Sequence, residues 1–277
     1  MAFRPVAFAA VCAAVITAAG CGSSAPGSHA ETADAAGSQS AQPAAHAISL
    51  AASAAQHITS FAATIKVRSY GSLATSLSGT LRMQTKPMLA DQNFHVTADG
   101  QSLPGGVETL LTSDAAYLKI DTLARIIGKP WVKVSISGLQ HAAGINLIPL
   151  VQQVQGGNPL AQAQMFAAAR GVREVGTQAV NGIETTEYTG SYRVADGLAR
   201  LDPSLASLVG PALKATGISV TQFTVWIDSN HQARKMTLVE SGKSIRVTST
   251  MLVTSINQPV GITVPSASQI ADAPEIP

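Results

Sequence analysis

Hydrophobic and polar positions along the chain fall into three regimes. Val6–Ala19 is a nearly unbroken apolar run behind Arg4, and Gly22–Ala47 contains no Leu, Ile, Val, Phe, Tyr or Trp. From Ile48 the pattern becomes periodic. Ile48, Leu50, Ala54 and Ile58 are spaced for one face of a helix over Ile48–Thr59. The period then drops to two. Phe61, Ala63, Ile65 and Val67 alternate with Ala62, Thr64, Lys66 and Arg68, the pattern of a half-buried strand. Leu77–Met83, Met88–Thr97, Val107–Thr112, Ala116–Ile120 and Trp131–Ile136 continue the series. Lys86-Pro87, Asp99-Gly100, Pro104-Gly105-Gly106, Ser113-Asp114 and Gly128-Lys129-Pro130 supply the turns between them.

Helical segments are expected at Pro149–Gln155, at Pro159–Ala169 and, with a broad Leu-rich stripe, at Asp196–Ala215. Between and after them lie the strands Val172–Val180, Ile183–Tyr192, Val220–Asp228, Gln232–Glu240 and Ser244–Ser255. Asn181-Gly182 is a strong two-residue hairpin signal, and the Pro-punctuated tail Pro259–Pro277 reads as extended. About eleven strands with short connections form an antiparallel meander. The expected fold class is mainly β (α+β). A single antiparallel sheet of this size must curve into a half-barrel, with helices on its concave face around an apolar volume.

The N-terminus sets the compartment. Its apolar run is too short to span a membrane and fits a secretory signal over residues 1–20. Ala18-Ala19-Gly20-Cys21 resembles a bacterial lipobox, with Ala18 where that pattern prefers Leu. Cys21 is then the lipidated residue. Cys12 leaves with the signal, so the mature chain has no second thiol for a disulfide. Residues 21–47 read as a polar tether with a reach of roughly 28 Å, and 48–277 as the folded domain. Acyl chains such as palmitate on Cys21 would hold the protein at the cell membrane on its extracytoplasmic side.

Composition narrows the function. The 277 residues carry 18 Lys+Arg against 16 Asp+Glu, and only 12% are charged. A net charge of +2 gives almost no field for a nucleic-acid partner. The six His form no HxxxH or HExxH pair, so no metal or cofactor is expected. Glu184 and Glu187, three apart in a strand, point to opposite faces and cannot act as a carboxylate pair. Asp228-Ser229-Asn230 reads as a hairpin turn rather than a calcium loop. Trp131 and Trp226 could stack a sugar ring but adjoin strand ends, where aromatics cover a core. No nucleophile elbow, SxxK or phosphate loop is present. The chain reads as a non-enzyme.

Several segments together resemble a known family. They are Ala116-Tyr117-Leu118-Lys119, Gly128-Lys129-Pro130-Trp131-Val132-Lys133, the hairpin Val180-Asn181-Gly182-Ile183-Glu184-Thr185-Thr186-Glu187-Tyr188, and Val225-Trp226-Ile227-Asp228 leading into Arg234-Lys235-Met236. With the lipobox and tether, the order resembles the actinobacterial lipoproteins of the LppX/LprG type, relatives in fold of the carriers LolA and LolB. The resemblance covers most of Ile48–Pro265, and its motifs are structural. It implies a half-barrel around helices, with a hydrophobic cavity that takes the acyl chains of a lipid or glycolipid carried across the envelope. No ligand-contacting residue carries over from it.

Strand parity alone places Phe61, Ala63, Ile65, Leu77, Leu81, Phe94, Val96, Phe223, Val225, Ile227 and Leu238 on the concave face, opposite Leu205, Leu208 and Leu213 of the helical segment. Ala63, Gly79 and Ala90 would leave room there. The expected partners are a lipid or glycolipid, the membrane through Cys21 and a membrane transporter, with the protein a monomer. The alternative is a closed, dry core in an envelope accessory or sensor lipoprotein acting through protein contacts.

Overall fold

The computed structural model describes residues 38–71, 74–102, 104–135, 169–199, 210–211 and 217–272. The signal, Cys21, the expected helices at Pro149–Gln155 and Pro159–Ala169 (all but its last residue), and Leu205, Leu208 and Leu213 lie outside them. In chain order the elements are α1 (Ser38–Ala55), β1 (Ser60–Gly71), β2 (Thr75–Thr85), β3 (Met88–Ala98), β4 (Gln101–Ser102), β5 (Val107–Leu111), β6 (Ala115–Lys119) and α2 (Asp121–Ile127). They continue with β7 (Trp131–Ser135), β8 (Arg170–Val180), β9 (Ile183–Arg193), α3 (Val194–Leu198), β10 (Val220–Asp228), β11 (Ala233–Ser241), β12 (Ile245–Ile256) and β13 (Ile270–Asp272). The chain is mainly β, as its alternation requires. All eleven expected strands form, and β4 and β13 add to them.

Two compact units share these elements, each built from two separate stretches of the chain. The unit of residues 58–158 and 245–277, the larger of the two in described residues, holds β1–β7, α2, β12 and β13. Its strand order is β13-β7-β6-β5-β3-β2-β1-β12, with β4 on the end of β3. Every pairing is antiparallel except β13 on β7, where Ile270–Asp272 run parallel to Trp131–Lys133. Tight turns set the register. Asp99 and Gly100, at φ 49° and 78°, join Ala98 to its partner Gln101, the left-handed pair that a type I′ hairpin needs. Gly128 (φ 74°) caps α2, its N–H donating to the Ala124 carbonyl. Gly128-Lys129-Pro130 follows a short helix, Asp121–Ile127, that is not among the elements expected from the sequence.

The smaller unit holds α1, β8–β11 and α3, in the strand order β11-β10-β9-β8. Asn181 and Gly182 (φ 51° and 78°) make the expected hairpin, with Val180 opposite Ile183. Helix α1 packs on β8 and buries Ala44, Ile48, Ala51, Ala52 and Ala55. The helix therefore begins ten residues' worth of chain earlier than the pattern of bulky residues indicates, inside the segment read as tether. Alanine is the best helix former and buries a flat face without a large side chain, so a stripe of alanines carries α1 where the reading looked for Leu and Ile.

A glycine faces an aromatic ring in each unit. Gly79 of β2 pairs with Phe94 of β3, and a methyl group added to Gly79 would stand 2.7 Å from Phe94 Cδ1 and closer still to the Asn93 carbonyl. Gly190 of β9 pairs with Phe223 of β10, and a methyl there would meet Phe223 Cζ at 2.7 Å. Each ring lies over its glycine and repairs the weak point that a side-chain-free residue leaves in a strand. Gly79→Val and Gly190→Val are each expected to cost about 1–3 kcal/mol by overpacking, whereas exposed Ser78→Val stays within about 0.5 kcal/mol. Urea unfolding of the three variants checks this.

Candidate ligand-binding faces

In the larger unit the register resolves two faces. Phe61 pairs with Met83, Ala63 with Leu81, Ile65 with Gly79 and Val67 with Leu77. The rows continue into β3 as Met83–Ala90, Leu81–Gln92, Gly79–Phe94 and Leu77–Val96. Phe61, Ala63, Ile65, Leu77, Leu81, Phe94 and Val96 thus share one face, as parity placed them, and Gly79 and Ala90 share it too. Phe61, Ala63, Leu77, Ala90 and Phe94 are buried, while Ile65, Leu81 and Val96 are only half-buried. The room expected at Gly79 is taken by the Phe94 ring, and Ala63 is 2% exposed.

In the smaller unit Phe223, Val225 and Ile227 are buried on one face of β10, with Phe223 opposite Leu238 and Val225 opposite Met236. Leu238 is half-buried. At the end of this face lies a polar row that the sequence reading did not single out: Tyr192, Thr221 and Glu240 on three adjacent strands. Thr221 is 1% exposed and its Oγ1 donates to Glu240 Oε1 at 3.2 Å. Burial pushes the Glu240 carboxyl above its ordinary value, against the pull of the Thr221 hydrogen bond. Burial also pushes the Tyr192 phenol up to about 12, with the Glu240 charge adding to it. Tyr188, on the same face beside Met236's partner Val225, is raised by burial and then by Glu174. The signal was available: Glu240 has the parity of Leu238 and Met236, and an acid on the apolar parity of a strand calls for an explanation.

The polar sites weighed from sequence are accounted for by local structure. Asp228 Oδ1 accepts the N–H groups of Asn230 and Gln232, and Arg234 Nε donates to its Oδ2 at 2.6 Å. These bonds build a turn, as expected. Trp226 is buried, its Nε1 donating to Gln178 Oε1 at 3.0 Å and Lys235 Nζ lying 3.9 Å from the ring centre.

The opposite face of the larger unit is polar and partly covered by the tail. Asn257 (φ 55°) accepts the Thr59 N–H on Oδ1 at 2.7 Å, and Ser60 Oγ donates to the Gln258 carbonyl. The chain then runs past Arg82, whose Nη1 lies 3.4 Å from the carbonyls of Val260 and Gly261. Ile262 and Ile270 pack with Trp131 against Leu110, Ala115 and Tyr117, and Lys129 Nζ donates to the Ser268 carbonyl. The tail read as extended is a strap. Next to it a cavity of about 350 Å³ is lined by Ala62, Thr64, Thr80, Arg82, Asp91, Asn93, Glu108 and Thr254, with Ala63 and Leu81 at its floor.

No family model matches the chain. A protein of Streptomyces griseus, an uncharacterized 31.2 kDa protein from the rplA–rplJ intergenic region, is 25% identical over 177 residues. The match covers 62% of this chain and 58% of that protein, so the chain spans little more than half the length of the relative. Among solved structures, LprF from Mycobacterium bovis is similar at 14% identity and a TM-score of 0.50, over 82% of this chain and 98% of that one. The chain has the fold of LprF. Mycobacterium tuberculosis lipoprotein LppX is also similar, at 18% identity and a TM-score of 0.45, over 80% of this chain and 99% of that one. The mainly β class expected from the sequence is the one found.

The half-buried acid in the polar row gives a pH signature. A carboxyl raised in the folded state stabilises fully below its unfolded value, and that contribution is lost as pH rises through the folded value. Wild type is therefore expected to lose stability relative to Glu240→Gln on going from about pH 4.5 to neutrality. Melting curves of the two proteins across this range check it; parallel curves would show that Glu240 is solvated.

Proposed function

We propose that the protein is a non-catalytic, membrane-anchored lipoprotein that binds the acyl chains of a lipid or glycolipid on its apolar strand faces and carries or presents it across the envelope. One observation carries the reading. Ile65, Leu81 and Val96 stay half-buried on a face whose neighbours are buried, and Leu238 does the same in the smaller unit. Covering such side chains with methylenes gains about 0.8 kcal/mol per methylene removed from water. Leu205, Leu208 and Leu213 belong to the same proposed lining. Ala63, by contrast, is close-packed and acts as core.

In this reading residues 1–20 are the signal, Cys21 is the acylated anchor on the extracytoplasmic side of the membrane, and 48–277, extended back to the start of α1 at Ser38, form the binding domain. A monomer that exchanges its ligand with a membrane transporter fits this arrangement. The fold shared with LprF supports it at the level of architecture.

The test is native mass spectrometry with lipid extraction on the full-length chain from a lipid-rich host. A stoichiometric lipid is expected, and Ile65→Lys should lower its occupancy at least tenfold with little loss of stability. Ala63→Trp should instead unfold the protein, because a close-packed site has no space for the ring. An empty wild-type protein that refuses added phospholipid and glycolipid would overturn the proposal in favour of a partner-binding lipoprotein.

Anchoring is tested separately. Cys21→Ala is expected to move the protein to the soluble fraction with an unchanged melting temperature; retention in the membrane would remove Cys21 as the anchor.

A further inference from the structure

The cavity of about 350 Å³ on the polar face of the larger unit is walled by side chains of opposite parity to the proposed lipid-binding residues, of which only Leu81 reaches its floor, beside Ala63, and it does not depend on that reading. Its size is within the range of small-molecule sites. Four polar side chains stand at one register level across adjacent strands: Thr64 opposite Thr80, Thr80 opposite Asn93, and Asn93 opposite Glu108. With strands about 4.8 Å apart, the row is about 14 Å long, enough for more than one sugar ring.

Three features define what it would hold. The charges are matched internally. Arg82 Nε donates to Asp91 Oδ2 at 2.9 Å, and Lys119 Nζ stands 2.9 Å from Glu108 Oε2. An ionic ligand would have to compete with these pairs, so the site suits a neutral one. The side chains of Thr64, Thr80 and Asn93 make no hydrogen bond among the described residues. They leave two hydroxyls and an amide, both donors and acceptors, for a ligand.

The backbone beneath is closed to a peptide. β1 lies between β12 and β2, β2 between β1 and β3, and β3 between β2 and β5, so no strand edge is open there and recognition must come from side chains.

A backbone irregularity points into the same place. Ala62 pairs with Ser255 but Ala63 pairs with Val253, so Thr254 is an extra residue in β12. Thr254 is exposed and lines the cavity. A bulge interrupts a ladder and re-aims a side chain, and such bulges recur beside functional sites. Here it adds a third hydroxyl to the cavity at the Ala62/Ala63 step, one position along from the row, whose own end on β12 is Leu252 opposite Thr64.

We propose that this groove binds a neutral carbohydrate through Thr64, Thr80, Asn93 and Thr254, with the Arg82–Asp91 and Lys119–Glu108 pairs as its walls. The test uses the full-length chain in a detergent without a sugar headgroup. Glucose, galactose, xylose and maltotriose are presented at millimolar concentration, with inorganic phosphate as a charged control. Binding is read by saturation-transfer NMR and by the shift of the Asn93 side-chain amide.

At least one of the sugars should bind and move the Asn93 resonance, and phosphate should not. Asn93→Leu and Thr80→Val, both at exposed positions, should each weaken binding about tenfold without changing the melting temperature or lipid occupancy. Failure of all four sugars, preference for phosphate, or binding indifferent to both substitutions would overturn the proposal. Lipid occupancy in the same samples keeps this result separate from the fate of the lipid reading.

Discussion

Hydrogen-bonded register is the constraint on which each unit depends. Side chains alternate across a strand with a period of two, so a slip of one residue would exchange the apolar and polar faces throughout. In the larger unit that alternation separates Phe61, Ala63, Ile65, Leu81 and Phe94 from Ala62, Thr64, Thr80, Arg82 and Asn93. Rigid turns hold it. The left-handed pairs Asp99-Gly100 and Asn181-Gly182 leave two residues and no more between paired strands. In the larger unit the β1–β12 ladder shifts register at Thr254, where the polar face is hollowed out. The same ladder that creates an apolar surface on one side therefore spaces hydroxyls and amides on the other.

Glycine and aromatic residues act as a second, more local constraint. Gly79 and Gly190 sit on apolar faces that would otherwise be pitted at those positions. Phe94 and Phe223 lie across them and turn a gap into a packed surface. This decides how much of each face is free for a ligand. The space that small residues promise in a one-dimensional pattern is occupied here by the neighbour's ring, and what remains open is marked by the half-buried aliphatics Ile65, Leu81 and Val96. A half-buried carboxyl at the end of the smaller unit's face, Glu240, is held by the buried Thr221.

The strands were legible because period-two alternation and turn residues are local signals. Asn181-Gly182 and Asp228-Ser229-Asn230 could be assigned from three or four letters, since the chemistry that bends the chain lies within them. What was not legible depends on partners distant in sequence or on small side chains. Helix α1 is carried by alanines, which no search for bulky apolar spacing finds. Helix α2 has no side-chain cap at its start and spans too little chain to display a period. The filling of Gly79 by Phe94, the bulge at Thr254 and the strap along Arg82 and Lys129 each require the register between strands to be known first. Register puts the described candidates of each unit on one face of its strands; the empty space inferred from Gly79 is filled by Phe94.

The larger unit is assembled from two stretches of chain separated by the smaller one. Phe61 at the start of β1 pairs with Ile256 at the end of β12, and the strap reaches Leu110, Tyr117 and Trp131 only through residues beyond Ile256. Contacts so far apart in sequence form late and slowly, because long loops must close before they are rewarded. A chain growing from its N-terminus thus exposes the bare edge of β1 until β12 emerges, and any nonsense or frameshift lesion before Ile245 would strand that edge as a template for aggregation. Quality control of this protein would then act on its C-terminal end, far in sequence from every residue proposed to hold a ligand except Thr254 and Leu238.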